Sequence, residues 1–291
     1  MNKTKIDWCD CTWNPVWGCL NKCNFCYARK IAKRFAKNMT VKEFGYLEKN
    51  FARPKYSHIN SIILYDKHDF YNSLDKFLPT FIISNFEKSF PKRHSRIFVN
   101  SMSEIYFWEE EWMELVLNKI KKYPQHIFMF LTKFPQVYFK YSFPKNCWLG
   151  ITITNKWDIK TDVFDFLRQV KNLKFISFEP LFSEIPSKIY IRSSVLEIFS
   201  SIHIDWVIIG SQTNPYKPPK REWVEKIIKE AKKGNIPVFL KNNLYRAYSN
   251  LPVLKEFPLK LEDYVAYAYN QIKDRKGKII NGQFVKEEKN D

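Results

Sequence analysis

Histidine, cysteine and acidic residues are all scarce in this 291-residue chain, and long apolar runs are absent from it. Each shortage excludes something. The longest apolar stretches, such as Ile127 to Leu131, fall far short of the ~20 residues that cross a bilayer, so no membrane association through a span is expected. The N-terminus, Met1-Asn2-Lys3-Thr4-Lys5-Ile6-Asp7, lacks the apolar core of a secretory leader. That predicts a reducing cytoplasm, in which the six cysteines are thiols or ligands and not disulfides. Only five histidines are present, and none clearly follows an apolar run as a ready acid or base. Acidic residues number 30 against 48 Lys and Arg, a formal net charge of +18, which points towards a polyanion such as DNA or RNA. Abundant Lys, Asn, Ile, Phe and Tyr are also what an AT-rich genome encodes whatever the function, so the total charge leaves both readings open.

What the chain does have is concentrated early. The stretch Trp13-Asn14-Pro15-Val16-Trp17-Gly18-Cys19-Leu20-Asn21-Lys22-Cys23-Asn24-Phe25-Cys26-Tyr27 places three cysteines within eight residues, spaced C-x3-C-x2-C. Three thiolates in one short loop form a metal-site or cluster-site pattern. A structural zinc wants four ligands, and Cys9 and Cys11 are near enough in sequence to be candidates for the fourth. An electron-carrying 4Fe-4S cluster also takes four cysteines, whereas three thiolates on a four-iron cubane leave one iron open to a substrate or cofactor. The unequal spacing, Phe25 inside the motif and the βα pattern that follows favour the cluster over zinc. A helix is expected from Cys26 to Met39, with Ala28, Ile31, Ala32, Phe35 and Ala36 on one face and Arg29, Lys33 and Lys37 on another. A solvated face is the plain alternative for that basic stripe.

From residue 96 onward, short runs that are apolar on both faces recur, each followed by turn residues and a helical pattern. The runs are Arg96 to Asn100, His126 to Thr132, Cys147 to Ile153, Lys174 to Glu179, Asp205 to Gly210 and Ile236 to Leu240. Amphipathic helices are expected at Trp108 to Lys122, Asp158 to Val170 and Arg221 to Lys233, the last set off by Pro218-Pro219 before it and Gly234 after it. With a possible first strand at Thr12 to Val16, the fold class is α/β, a partial or near-complete (β/α) TIM-like barrel of about six or seven parallel strands, or else a doubly wound sheet. Both arrangements put function at the C-terminal ends of the strands. The organisation expected is a single domain over 1–291, with an irregular insertion at about 40–95, where Phe81-Ile82-Ile83 reads as strand or buried helix. A C-terminal extension at about 244–291 completes it, with a hairpin signalled by Asn281-Gly282. Cys147 opens a strand and is expected to be a core thiol at the far end of the sheet from the cysteine loop.

Cys19-x3-Cys23-x-Phe25-Cys26 after a first strand, ahead of βα units, resembles the signature of the radical S-adenosylmethionine (radical SAM) superfamily. A closer resemblance runs through Asp10 to Tyr27, Arg96 to Ser103, Phe130-Leu131-Thr132-Lys133, Trp148 to Thr152, Phe175 to Leu181 and Asp205 to Gly210. Those blocks look like the successive blocks of a phage-associated three-cysteine-motif family of unknown function. The resemblance implies a radical SAM-type barrel and a 4Fe-4S cluster on Cys19, Cys23 and Cys26. It also implies S-adenosyl-L-methionine on the open iron, reductively cleaved with electrons from an external donor to give a 5′-deoxyadenosyl radical. It further implies a phage or prophage origin in a bacterial host and a gene neighbour, the three-Cys-motif partner protein, as a possible partner. Combined with strand order, it makes Asn100, Ser101 and Ser103, then Thr152, Thr154 and Asn155, and Glu179 the candidate SAM contacts. For each hydroxyl or amide, a helix cap or loop hydrogen bond is the alternative. Lys133 and Lys241 are candidates for binding a phosphate or carboxylate. Where that family commonly has Gly-Gly-Glu-Ser-Gly, this chain has Gly210-Ser211-Gln212-Thr213-Asn214, so a role for the missing carboxylate does not carry over. Cys9 and Cys11 fall where the family usually has other residues. The expected function is a radical SAM enzyme modifying a substrate, nucleic acid first among the classes considered. The alternative is a non-catalytic zinc or Fe-S protein that binds nucleic acid or docks a partner.

Overall fold

A strand covered on both faces has no polar side to show, so it reads as a continuous apolar run. The six such runs of the sequence become six strands of one sheet. The computed structural model describes residues 2–32, 77–191, 194–197, 204–258, 277–280 and 283–286. In chain order these supply β1 (Asn2–Lys3), β2 (Cys11–Thr12), β3 (Val16–Trp17), helix α1 at 27–32, β4 (Thr80–Phe81) and the short α2 (Ile83–Phe86). The regular part continues with β5 (Arg96–Phe98), α3 (Glu110–Lys121), β6 (Ile127–Thr132), β7 (Cys147–Thr152), α4 (Thr161–Gln169) and β8 (Lys174–Phe178). After it come β9 (Lys188–Ile191), β10 (Ser194–Glu197), β11 (Trp206–Ile209), α5 (Arg221–Lys233) and β12 (Val238–Leu240). A terminal antiparallel hairpin pairs β13 (Gly277–Ile280) with β14 (Gln283–Lys286), where the Asn-Gly signal predicted one.

The main sheet runs β1-β2-β5-β6-β7-β8-β11-β12. Only β1 is antiparallel to its neighbour, so seven strands are parallel and lie in the order of the chain. Strands added one after another without reversal, with helical connections on one side, curl into part of a barrel. The result is a half-barrel, the partial form of the TIM-like architecture. Its two edges stay unpaired with each other among the described residues. Asp7 spans the opening, its Oδ2 accepting from the Asn242 N–H at 2.7 Å beyond the end of β12.

Alternation along each strand sorts the core into two. Ile97, Phe128, Phe130, Leu149, Ile151, Ile176, Phe178, Val207 and Ile209 pack outward, with the helix residues Trp112, Val116, Ile120, Val163, Leu167, Val224 and Ile227. Phe98, Ile127, Met129, Trp148, Phe175, Trp206, Ile208 and Phe239 face inward around Trp8. The indole of Trp8 lies 4.7 Å from the Phe98 ring and 6.3 Å from that of Trp206, centre to centre. Gly150 belongs to this inner face, since a Cβ there would sit 2.2 Å from the Phe175 ring.

The helices follow the apolar spacing, and α5 keeps the expected bounds, Arg221–Lys233. The left-handed residue that ends it is Asn235 (φ 52°) and not Gly234, whose φ is −87°. Asparagine tolerates that conformation better than most side chains. Three expectations needed revision. The first strand stops at Thr12 instead of reaching Val16, because Pro15 has no N–H to give a ladder. Val16–Trp17 pairs instead with β4, an antiparallel contact closed by Pro15 O accepting from the Ile82 N–H at 2.7 Å. Phe81-Ile82-Ile83 is both things at once, the end of β4 and the start of α2. Finally, the β9–β10 hairpin lies between β8 and β11, where no element was expected. Residues 33–39 of the expected basic helix, with Lys33 and Lys37, and most of the insertion at 40–95 fall outside the described residues. Among the described residues no helix is long and apolar enough to cross a membrane.

Candidate functional site

The cysteine loop begins where β2 ends and lies at the mouth formed by the C-terminal ends of the parallel strands. Gly18 starts it in a left-handed conformation (φ 99°), and a Cβ at that position would fall 1.8 Å from the Leu78 carbonyl oxygen. Only glycine fits both demands. The Gly18 N–H donates to Met102 O at 3.0 Å and the Cys19 N–H to Phe77 O at 2.8 Å. Before them, Asn14 Oδ1 accepts from both Ser101 Oγ and the Met102 N–H, each at 3.0 Å. At the far end the Arg29 guanidinium donates to Cys19 O at 2.8 Å, and the Tyr27 hydroxyl donates to Ser101 O at 2.7 Å. The loop is thereby fastened to the segment that follows β5.

Cys19, Cys23 and Cys26 are all partly exposed, whereas Cys9, Cys11 and Cys147 are buried. The sulfurs of Cys19 and Cys26 each accept a backbone N–H at 3.3 Å, from Asn21 and Arg29 respectively. Burial pushes the Cys19 thiol up to about 12, against the Asn21 hydrogen bond and helped by the negative charges of Glu104, Cys26 and Cys23. Burial also raises Cys23, with Lys133 opposing it. Thiols raised in this way, as Cys19 and Cys23 are, would be brought to the thiolate form by a bound cation. Among the described residues no three His, Cys, Asp or Glu side chains converge on one metal ion. A tetrahedral zinc needs sulfurs about 3.8 Å apart, while a cubane takes one thiolate per iron and spreads its ligands wider. The donor set on offer to an inorganic group is three sulfurs, two of which each accept a backbone N–H.

The candidate contacts divide by what their side chains already do. Asn100 is buried and fully engaged: its Nδ2 donates to Leu131 O (2.7 Å) and Ser103 O (3.3 Å), and its Oδ1 accepts from the Leu131 N–H (3.1 Å). It extends the β5–β6 ladder by one side chain. Ser101 is bonded to Asn14, and Ser103 Oγ accepts from the Trp108 indole at 3.1 Å, so these residues hold the loop. Thr154 and Asn155 belong to a cap. Asp158 Oδ2 accepts from Thr154 N–H and hydroxyl (2.6 Å each), while Asn155 Oδ1 accepts from the Trp157 N–H. That reciprocal box starts a single 3-10 turn, Lys156–Asp158, and moves the start of α4 to Thr161.

Thr152 and Glu179 face the mouth. Thr152 ends β7 on the inner side, two residues beyond Gly150, and is partly exposed. Glu179 follows β8 and receives a hydrogen bond from Lys241, which follows β12. Both are largely buried, at 20% and 15% side-chain exposure. Gly210 makes room for the pair, since a Cβ there would stand 2.9 Å from Lys241 Cδ and 3.0 Å from Glu179 Cδ. Lys133, after β6, lies with its ammonium 5.5 Å from the centre of the Phe25 ring. That ring in turn packs edge-on against Phe182 at 5.1 Å.

Two groups escaped the reading of the sequence. Glu104 is buried beneath the loop and accepts from the Thr132 hydroxyl and from the N–H groups of Lys133 (3.0 Å) and Tyr106 (3.4 Å). Burial raises its carboxyl above the usual range, those bonds opposing. The signal was a lone glutamate between Met102 and Ile105 in a strand-end block. Tyr27 is the other; burial, then the Glu179 charge, raise its hydroxyl.

The family described as a protein of unknown function (DUF5131) matches residues 3–288. No curated protein and no solved structure matches the chain. Since the match covers nearly all of the sequence, the chain belongs to that family.

Proposed function

We propose that this member of the family is a radical SAM enzyme, in which Cys19, Cys23 and Cys26 hold a 4Fe-4S cluster and S-adenosyl-L-methionine binds at the mouth of the half-barrel. The observation that carries the reading is the contrast among six thiols: three partly exposed in one tethered loop at the strand ends, three buried elsewhere. The loop brings no fourth cysteine, so a cubane held by Cys19, Cys23 and Cys26 would keep one iron available to SAM. Once reduced by an external donor, such a cluster would supply the chemistry of radical SAM enzymes, reductive cleavage of SAM to methionine and a 5′-deoxyadenosyl radical that abstracts a hydrogen atom from the substrate.

The protein's own part is to orient and to exclude water. Gly18 and Asn14 set the direction of the loop. Phe25 and Phe182 form an apolar wall beside the sulfurs. Glu179, steadied by Lys241, offers a carboxylate to a cationic or hydroxyl-bearing part of SAM, and Thr152 offers a free hydroxyl across the same opening. Asn100, Ser101, Ser103, Thr154 and Asn155 act as positioning residues, through the hydrogen bonds described above.

Protein purified without oxygen is expected to be brown, with iron and sulfide near four each per chain. Incubated with SAM and a strong reductant, it is expected to release 5′-deoxyadenosine. Cys19→Ala, Cys23→Ala and Cys26→Ala lose the iron, while Cys147→Ala and Cys9→Ala keep it. A colourless protein that carries zinc and forms no 5′-deoxyadenosine would overturn the reading in favour of a structural metal.

A further inference from the structure

The mouth has a second feature that cofactor binding does not use. Trp157, at the tip of the 3-10 turn after β7, is 75% exposed, more than any other exposed aromatic among the described residues. A large aromatic that buries almost nothing contributes little to folding. It also has a cation against it: Lys156 Nζ stands 4.7 Å from the centre of its ring. From there a continuous row leads to the cysteine loop. The Lys156 N–H donates to Ser183 Oγ at 3.1 Å; Ser183 is next in the chain to Phe182, which meets the Phe25 ring at 5.1 Å, and Lys133 covers that ring. Phe25 lies between two of the three thiols in sequence.

Three acids lie near this row. Glu184 is paired with Lys226 at 2.5 Å, the Asp158 carboxylate is turned to the Thr154 and Asn155 backbone, and Glu104 is buried behind Lys133, accepting from its N–H. Lys156 and Lys133 therefore present positive charge beside aromatic faces, in a chain of net charge +18. Alternating cations and π-faces along a groove are the chemistry that holds single-stranded nucleic acid, phosphates on the cations and bases on the rings.

We propose that this row is a track for single-stranded DNA or RNA, one base stacking on Trp157 while Lys156 and Lys133 take phosphates, so that a nucleotide is led to the mouth beside Phe25. The substrate class of the enzyme is then a single-stranded nucleic acid, an inference that rests on the radical SAM reading for its catalytic meaning. A duplex cannot offer a base face to Trp157 and binds through charge alone.

The test is fluorescence anisotropy of the full chain with labelled mixed-sequence 20-mers of DNA and RNA, single-stranded and duplex, over a salt series. Trp157→Ala is expected to weaken single-strand binding about 5- to 100-fold, the range of base-aromatic stacking, and duplex binding hardly at all. Lys156→Gln is expected to make the log–log salt dependence shallower by about 0.7, one phosphate contact. Lys232→Gln serves as the control for general charge: it is exposed, in the last turn of α5, at the opposite end of the sheet. Equal weakening by Lys232→Gln and Lys156→Gln, or wild-type affinity in Trp157→Ala, overturns the track, as does a protein partner whose binding depends on Trp157 while strands are ignored. Wild-type protein that releases 5′-deoxyadenosine yet binds no strand loses the track alone. Iron-free protein that still binds strands through Trp157 loses the radical chemistry alone.

Discussion

Along the inner face of the half-barrel, the first residues of the strands and those at or just beyond their last differ in character. Ile127, Trp148, Phe175, Trp206 and Phe239 stand early in their strands and close on Trp8 with no polar side chain among them. Further along the same face come Thr152, Glu179, Gly210 and Lys241, which are polar, charged or without a side chain. The backbone geometry is continuous from one zone to the other, so the difference lies in residue type alone. Aromatic rings make the plug expensive to alter, while the mouth carries a charge pair in partial burial, an arrangement that adds little net stability.

That contrast can be broken most forcefully from below. Trp206→Ala removes a fully buried indole from the centre of the plug and its hydrogen bond to Glu256 O. It should cost about 3–5 kcal/mol, read as a lower urea midpoint at unchanged slope. Acid offers the next largest effect. His126 is buried among Phe90, Tyr123 and Phe128 at the start of β6, and burial, with the His94 charge, pushes it down to about 4. The unfolded chain takes up its proton near 6.5 and the native one only near 4. The His126 contribution is therefore flat above pH 6.5 and falls by about 3 kcal/mol between 6.5 and 4. Urea midpoints across that window should fall less steeply for His126→Gln than for the native chain.

The mouth should answer more weakly in stability and more strongly in chemistry. Lys241→Met leaves Glu179 without its cation and is expected to cost about 1–3 kcal/mol, with most of that recovered in the double variant with Glu179→Gln. Either single change is expected to cut 5′-deoxyadenosine release sharply. Smallest of all is Thr152→Val, within about 0.5 kcal/mol in stability, yet expected to raise the SAM concentration needed for half-maximal turnover. If Thr152→Val destabilised the chain as much as Trp206→Ala, the division between plug and mouth would be wrong.

The strands and the helix Arg221–Lys233 were legible because burial on both faces and 3.6-residue spacing are properties of neighbours in the chain. The cysteine triplet was legible for the same reason. What was not legible depended on residues far apart. Lys241 read as a candidate for a phosphate or carboxylate, and the carboxylate it meets is that of Glu179, 62 positions away. Asn100 read as either a SAM contact or a hydrogen bond within the loops, and its amide is engaged with Leu131, 31 positions on. Thr154 and Asn155 sit in a cap whose acid, Asp158, looked like the start of a helix. The β9–β10 hairpin escaped because its strands are four residues each and the two residues between them, Arg192-Ser193, include no glycine or proline to signal a turn.

The fastening of the cysteine loop bears on when the site comes into being. Asn14 is bonded to Ser101, 87 residues later, and Gly18 and Cys19 to Met102 and Phe77. During synthesis the three thiols leave the ribosome before any of these anchors, so while at least the roughly fifty residues from Cys26 to Phe77 are added they are ordinary, unoriented cysteines. The loop gains its shape only after β5 has docked on β2. A cluster of the kind proposed would therefore be received by a folded scaffold, a delivery step after folding and not a seed for it.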